Sequence, residues 1–158
     1  MAGKHISYSE WKNWHICPHY HKLTYIDKVN QFEGNIFTAF GKALHNVCED
    51  SFNLEGKYPP QETLDNLFKK YFVKELKSLP KDEQTRAVSE FKLPDFKSHG
   101  LEILREVYDA MTDKFGVLGD DWVVLATEEQ LYVPITEFEK AEKKFKGFID
   151  LVVATKDG

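Results

Sequence analysis

Cysteine is scarce in this chain. Two residues, Cys17 and Cys48, stand among 158, too few for a disulfide framework. No stretch has the apolar length of a signal peptide or a membrane span, so the protein reads as soluble, intracellular and cytoplasmic. Internal repeats, low-complexity tracts and evident linkers are absent as well, and nothing marks a boundary within the chain. Positive charge is not in excess either: 21 Lys and Arg face 26 Asp and Glu, for a net charge of −5. No basic tail announces nucleic acid, although positive charge confined to one groove would escape such a count. Locally the balance tips the other way. In the first thirty residues Lys4, Lys12, Lys22 and Lys28 face only Glu10 and Asp27, beside His5, His15, His19 and His21.

What is present suffices for one ordinary domain: 42% of the residues are hydrophobic and 14% aromatic, enough to bury a core at this length. Helices come first. Ser7-Tyr8-Ser9-Glu10 has capping-box spacing, which predicts a short helix to about His15. Cys17-Pro18 breaks it, and Pro18 in a first turn opens a second short segment carrying Tyr20, Leu23, Tyr25 and Ile26. From Ile36 to about Asn53, the residues Phe37, Phe40, Leu44, Val47 and Cys48 recur at the three-and-four spacing of a helix with one buried face. Pro59-Pro60 starts a further helix carrying Leu64, Leu67, Phe68, Tyr71 and Leu76, and Pro80 ends it. A shorter helix near Asp82 to Glu90 and a longer one through Leu101, Leu104, Val107, Tyr108, Met111 and Phe115 complete the helical part.

Composition then turns to β-formers in residues 122–126, 130–135 and 145–154, for which antiparallel pairing is expected. Between them, Lys140, Lys143, Lys144 and Lys146 alternate with Glu137, Glu139 and Glu142, the pattern of a solvated connection. Lys156-Asp157-Gly158 reads as a hairpin turn without its return strand. A single domain over residues 1–158 is expected, incomplete at its C-terminus, because ending there leaves an unpaired edge.

Two features carry the chemistry: Gly41-Lys42-Ala43-Leu44-His45 on an apolar helix, and Gly147-Phe148-Ile149-Asp150-Leu151-Val152 in a strand. A histidine and a carboxylate so fixed can share one divalent cation, which points to metal-dependent hydrolysis. His45 lies about 100° around the helix from Leu44, with Glu49 one turn further along the same side. A lone helical histidine is commonly structural, but Gly41 one turn earlier costs roughly 1 kcal/mol relative to Ala, which implies close approach by a backbone or a substrate. Asp150 sits among Ile149, Leu151, Val152 and Val153, where a buried carboxylate must be paired, hydrogen-bonded or metal-bound. Otherwise it faces outward at a sheet edge. Glu128 and Glu129 fall between two β stretches, where a bend can aim a side chain at the same cation or leave both solvated. His15, Cys17, His19 and His21 are potential zinc ligands, but their spacing fits no finger or ribbon, and Cys17-Pro18 favours a structural turn. Cys48, on the apolar face, reads as packing.

Ser7-Tyr8-Ser9-Glu10-Trp11, Cys17-Pro18-His19-Tyr20, Tyr25-Ile26, Phe40-Gly41-Lys42-Ala43-Leu44-His45, Glu128 and Gly147-Phe148-Ile149-Asp150 resemble, in order, the motifs of RecB-like nucleases of the PD-(D/E)XK superfamily, as in RecB-family and CRISPR-associated exonucleases. The resemblance implies an α/β restriction-endonuclease-like core with a largely helical N-terminal half and antiparallel C-terminal strands, cut off in mid-hairpin. It implies DNA phosphodiester hydrolysis assisted by Mg2+ or Mn2+, exonucleolytic, in DNA processing, repair or recombination. By position, His45 and Asp150 would be metal ligands and Glu128 an acidic residue at the rim of the site.

In that family the next strand supplies a second carboxylate and a lysine two positions on, which are expected past Gly158 or from another chain. Some relatives also bind an iron–sulfur cluster, and Cys17 matches its first ligand. DNA is the implied partner, with no membrane. The alternatives are a catalytically incomplete nuclease-fold module that binds DNA ends or a protein partner, and a zinc protein built around Cys17.

Overall fold

Asn35 shows how the chain commits to its main helix. Its side-chain oxygen accepts from the N–H groups of Phe37 at 3.0 Å and Thr38 at 3.1 Å, and Thr38 Oγ1 accepts from the Asn35 N–H at 2.8 Å. This reciprocal cap satisfies three donors before the first turn closes. The computed structural model describes residues 5–29, 32–52, 57–135 and 144–156. They form two compact units, one of Glu33–Thr127 with Leu151–Gly158, the other of Met1–Phe32 with Glu128–Asp150.

The larger unit is helical, with α3 (Ile36–Phe52), α4 (Gln61–Ser78), α5 (Lys81–Glu90) and α6 (Leu93–Phe115) following the expected order. The expected end of α3 at Asn53 lies outside the described residues. Ile36, Ala39, Ala43 and Val47 of α3 are buried with Leu64, Phe68 and Phe72 of α4, Ala87 of α5 and Leu104 of α6. The stripe on α3 contains two alanines, which lets the neighbouring helix come close. Phe40 meets Phe68 and Phe72 edge to face at 5.8 and 6.0 Å, and those two rings stack on each other at 5.5 Å. Gly100 on α6 is required by this packing. A Cβ there would stand 2.5 Å from Cζ of Phe68, a ring with no exposed surface. Cys48 packs against this core, and burial pushes its thiol pKa up.

A second cluster surrounds Trp122, which is 2% exposed and packs with Phe52 and Leu118. Gly116 ends α6 at φ +84°, and its carbonyl accepts from Trp122 Nε1 at 3.0 Å. Asp121 ties the same turn together. Its carboxylate accepts from the Val117 N–H at 2.9 Å and from Lys156 Nζ at 3.3 Å, and these two contacts, in that order, hold its pKa below the usual carboxylate value.

The smaller unit begins with β1 (His5–Ser7), α1 (Tyr8–Ile16), α2 (Pro18–His21) and a π-helical turn over Lys22–Ile26. Ser7 caps α1 as expected, its Oγ accepting from the Glu10 N–H at 3.1 Å. Pro18 does open a short helix, capped by Cys17, whose Sγ accepts from the Tyr20 N–H at 3.5 Å. The continuation winds as a π turn, a feature that periodicity does not announce.

Two strands, β2 (Trp122–Pro134) and β3 (Lys144–Thr155), pass through both units. With β1 they make a three-stranded sheet in the order β1-β3-β2, and β1 runs parallel to β3 in the register His5↔Lys144, Ile6↔Phe145, Ser7↔Lys146. The fold is therefore mixed α/β, with helices early and strands late. Two expectations change. β1 is an addition to the expected elements, because three residues carry no legible period. The two β stretches around Glu128-Glu129 are one continuous strand, in which Glu128 takes φ +51° without ending the strand. Lys144 and Lys146, expected in the charged connection that runs from Thr136, belong to β3 instead, and residues 136–143 of that connection, like 157–158 of the expected turn, lie outside the described residues.

Candidate functional site

Helix α3 carries its buried stripe at positions 36, 39, 43 and 47. Gly41, His45 and Glu49 follow one another at four-residue intervals on another side, away from that stripe. His45 is exposed and Glu49 half-buried. A ring nitrogen of His45 and a carboxylate oxygen of Glu49 come within 4.8 Å of each other. That separation suits two ligands of one cation, since donors about 2.0–2.2 Å from a metal stand roughly 3–4 Å apart after a small side-chain adjustment. Glu49 was legible as a residue on the same side of the helix, and its four-residue spacing from His45 is the signal that adds it to the site.

Among the described residues, no backbone comes close to Gly41. A Cβ at this position would meet no atom of the described residues within 4 Å, which leaves the helix surface one turn before His45 open among them.

Glu128 stands half-buried on β2 with its backbone in the left-handed region. For a residue with a Cβ that conformation costs roughly 1–2 kcal/mol, and such outliers concentrate where a side chain must be aimed. Glu129, next to it, is exposed. The irregularity at this point thus falls inside one strand instead of between two.

Asp150 stands exposed on β3. Water can solvate its carboxylate, so the requirement for a buried partner does not arise. Among the described residues, it is not part of any group of three side chains close enough to hold one ion.

The residues of the zinc alternative do not converge either. His15 stacks on Trp11 at 5.5 Å, His21 stacks on Tyr25 at 5.3 Å and meets Glu10 Oε1 at 3.2 Å, and exposed Cys17 caps α2. Among the described residues these side chains form no three-ligand group. Lys144 and Lys146 each lie over an aromatic ring, Tyr132 at 5.1 Å and Phe148 at 4.8 Å.

Two further ionisable groups belong to the fold. Tyr71 donates to Asp50, and this bond, followed by burial, pushes its phenol up to about 12. Tyr58 donates to the Leu104 carbonyl at 2.7 Å and stacks on Tyr108, and burial raises its pKa. No described helix is long and apolar enough to cross a membrane.

Comparison with known proteins gives one family and one curated relative. Residues 5–158 match the PD-(D/E)XK nuclease superfamily. The chain is also similar to a subunit of the aspartyl/glutamyl-tRNA(Asn/Gln) amidotransferase of Chlorobium limicola, 31% identical over 86 residues, which are 49% of this chain and 18% of that protein. It therefore spans under a fifth of that relative's length. No solved structure matches.

Proposed function

Because the chain belongs to the PD-(D/E)XK nuclease superfamily, whose nucleases are generally metal-dependent phosphodiester hydrolases, we propose that it is a RecB-like deoxyribonuclease acting on DNA ends during processing, repair or recombination. The observation that carries this reading is the match over residues 5–158, which runs through the whole ordered series of motifs from Ser7 to Asp150. In this proposal both units belong to one nuclease domain.

His45 and Asp150 are the proposed metal ligands and Glu128 an acidic residue at the rim, with Glu49 supporting His45 from one turn along α3. An imidazole among carboxylates suits Mn2+, and the carboxylates also suit Mg2+. When bound, such a cation polarises the scissile phosphate and lowers the pKa of the attacking water. The protein's part is to hold His45 on a rigid helix, to keep the surface beside Gly41 open for a strand of substrate, and to aim Glu128 through its unusual backbone angle. Cys17, exposed at the head of α2, is proposed as the first ligand of an iron–sulfur cluster in the full-length protein, and iron and sulfide analysis of purified protein tests it.

The full-length protein should cleave linear DNA when Mn2+ or Mg2+ is supplied. His45→Ala and Asp150→Ala should each abolish cleavage, and His45→Ala should also weaken Mn2+ binding measured by calorimetry, with circular dichroism unchanged. Cleavage retained in both variants would overturn the assigned site. The exposure of Asp150 favours a second reading, a nuclease-fold module that binds DNA ends or a protein partner without cutting. It predicts salt-sensitive DNA binding that is indifferent to added metal.

A further inference from the structure

Within the helical unit, a groove of about 520 Å³ lies between α3 and α6. Its floor is apolar. Phe40 and Phe96 meet edge to face at 5.4 Å, and Phe37 leans on Phe96 at 5.9 Å while 58% of its surface stays exposed. Ile103 continues this floor along α6. A large ring left half open beside other rings is a poor way to finish a core, and it offers an anchor point to something else.

The rim has one sign of charge. Asp95, Glu102 and Glu106 line it together with His99. These four recur at intervals of four, three and four residues, so they follow one side of α6 for about 16 Å at 1.5 Å per residue. Neither Lys nor Arg lines the groove among the described residues. The neighbouring cations of α6 turn toward α4 instead: Lys97 pairs with Asp65 at 3.5 Å, and Arg105 donates to Gln61 Oε1 at 2.8 Å. The three carboxylates have no ion pair among the described residues.

We propose that this groove receives an amphipathic helix of a partner protein, basic on one face and about three turns long. Its apolar side chains would rest on Phe37, Phe96 and Ile103, and its Lys or Arg side chains would meet Asp95, Glu102 and Glu106. Helix-in-groove recognition has this form, with anchors at i, i+3 or i+4, and i+7. An acidic rim repels the phosphates of DNA, so the groove itself suits a basic helix better than substrate, and it adjoins the surface proposed for substrate because Phe37 stands one turn before Gly41 on the same side of α3. The proposal uses none of His45, Glu128 or Asp150, so it stands or falls apart from the nuclease reading.

The test is an anisotropy titration of the full-length protein with a labelled amphipathic peptide of Leu and Lys. A version with Glu for Lys and a version with Ser for Leu serve as the controls. The Leu/Lys peptide should bind, more weakly as salt rises, and the two controls should not. The double variant Glu102→Lys, Glu106→Lys should weaken binding about tenfold or more. Phe37→Ala should also weaken it at unchanged melting temperature. Equal binding of the Ser version, or indifference to both variants, would reduce the effect to general attraction and overturn the proposal. So would displacement of the peptide by linear DNA, or self-association of the protein that Phe37→Ala abolishes.

Discussion

Phe68, in the helical unit, has no exposed surface, whereas Trp11 and Trp14, in the other unit, keep 46% and 52% of theirs. Both units are rich in rings, and they use them differently. In the larger one, rings from α3, α4 and α6 interleave, and a glycine is kept at position 100 so that Phe68 fits. In the smaller one, Tyr8, Trp11 and His15 succeed one another along a nine-residue helix at 5.8 and 5.5 Å, and neither α1, α2 nor the π turn buries a residue. Its order comes from caps, the Glu10–His21 contact, the Lys22–Asp27 ion pair and three residues of parallel pairing. Aromatic content alone thus says little about stability. What matters is whether the rings find a second layer.

The sharpest contrast should come from Phe68→Ala, which removes a buried ring and should cost about 3–5 kcal/mol in denaturant unfolding. Next is Gly100→Val, whose new methyl groups collide with that same ring. A loss of roughly 1–3 kcal/mol is expected, read as a lower melting temperature.

A pH test follows. Tyr71 is pushed from the usual 10.0 up to about 12, first by its bond to Asp50. A raised folded pKa favours the protonated form, so this contribution is complete below pH 10 and drains away as pH rises toward 12. Asp50→Asn should return one phenol to the ordinary range in an ultraviolet titration. The smallest effect should come from Trp11→Ser and Trp14→Ser, each within about 0.5 kcal/mol. Losses near those of the helical core would break the comparison and mean that these rings are covered in the full-length protein.

Long-period features are legible in the sequence. The three-and-four spacing of Phe40, Leu44 and Val47 locates α3, the prolines locate both ends of α4, and the Ser7 spacing locates the first cap. Short or non-repeating features are not. β1 has three residues, and its partner lies far along the chain. The π turn depends on one extra residue per turn that no side-chain pattern marks. Glu128 kinks a strand that sequence alone divides in two, because a left-handed Glu leaves no compositional trace. Of the proposed ligands, His45 and its neighbour Glu49 follow from helical spacing. The exposure of Asp150 does not follow, since apolar neighbours in a strand alternate faces and do not report which face is covered.

The register of β1 also sets an order of events during synthesis. His5 pairs with Lys144, 139 residues further on, so at five to twenty residues per second the first strand waits roughly 7–28 s for its partner. The segments that form α3 to α6 all leave the ribosome within that interval and can assemble from nearby contacts. Tyr8, Trp11 and Trp14 spend it beside an unpaired strand. A nascent-chain chaperone that favours exposed aromatic segments would find this stretch first.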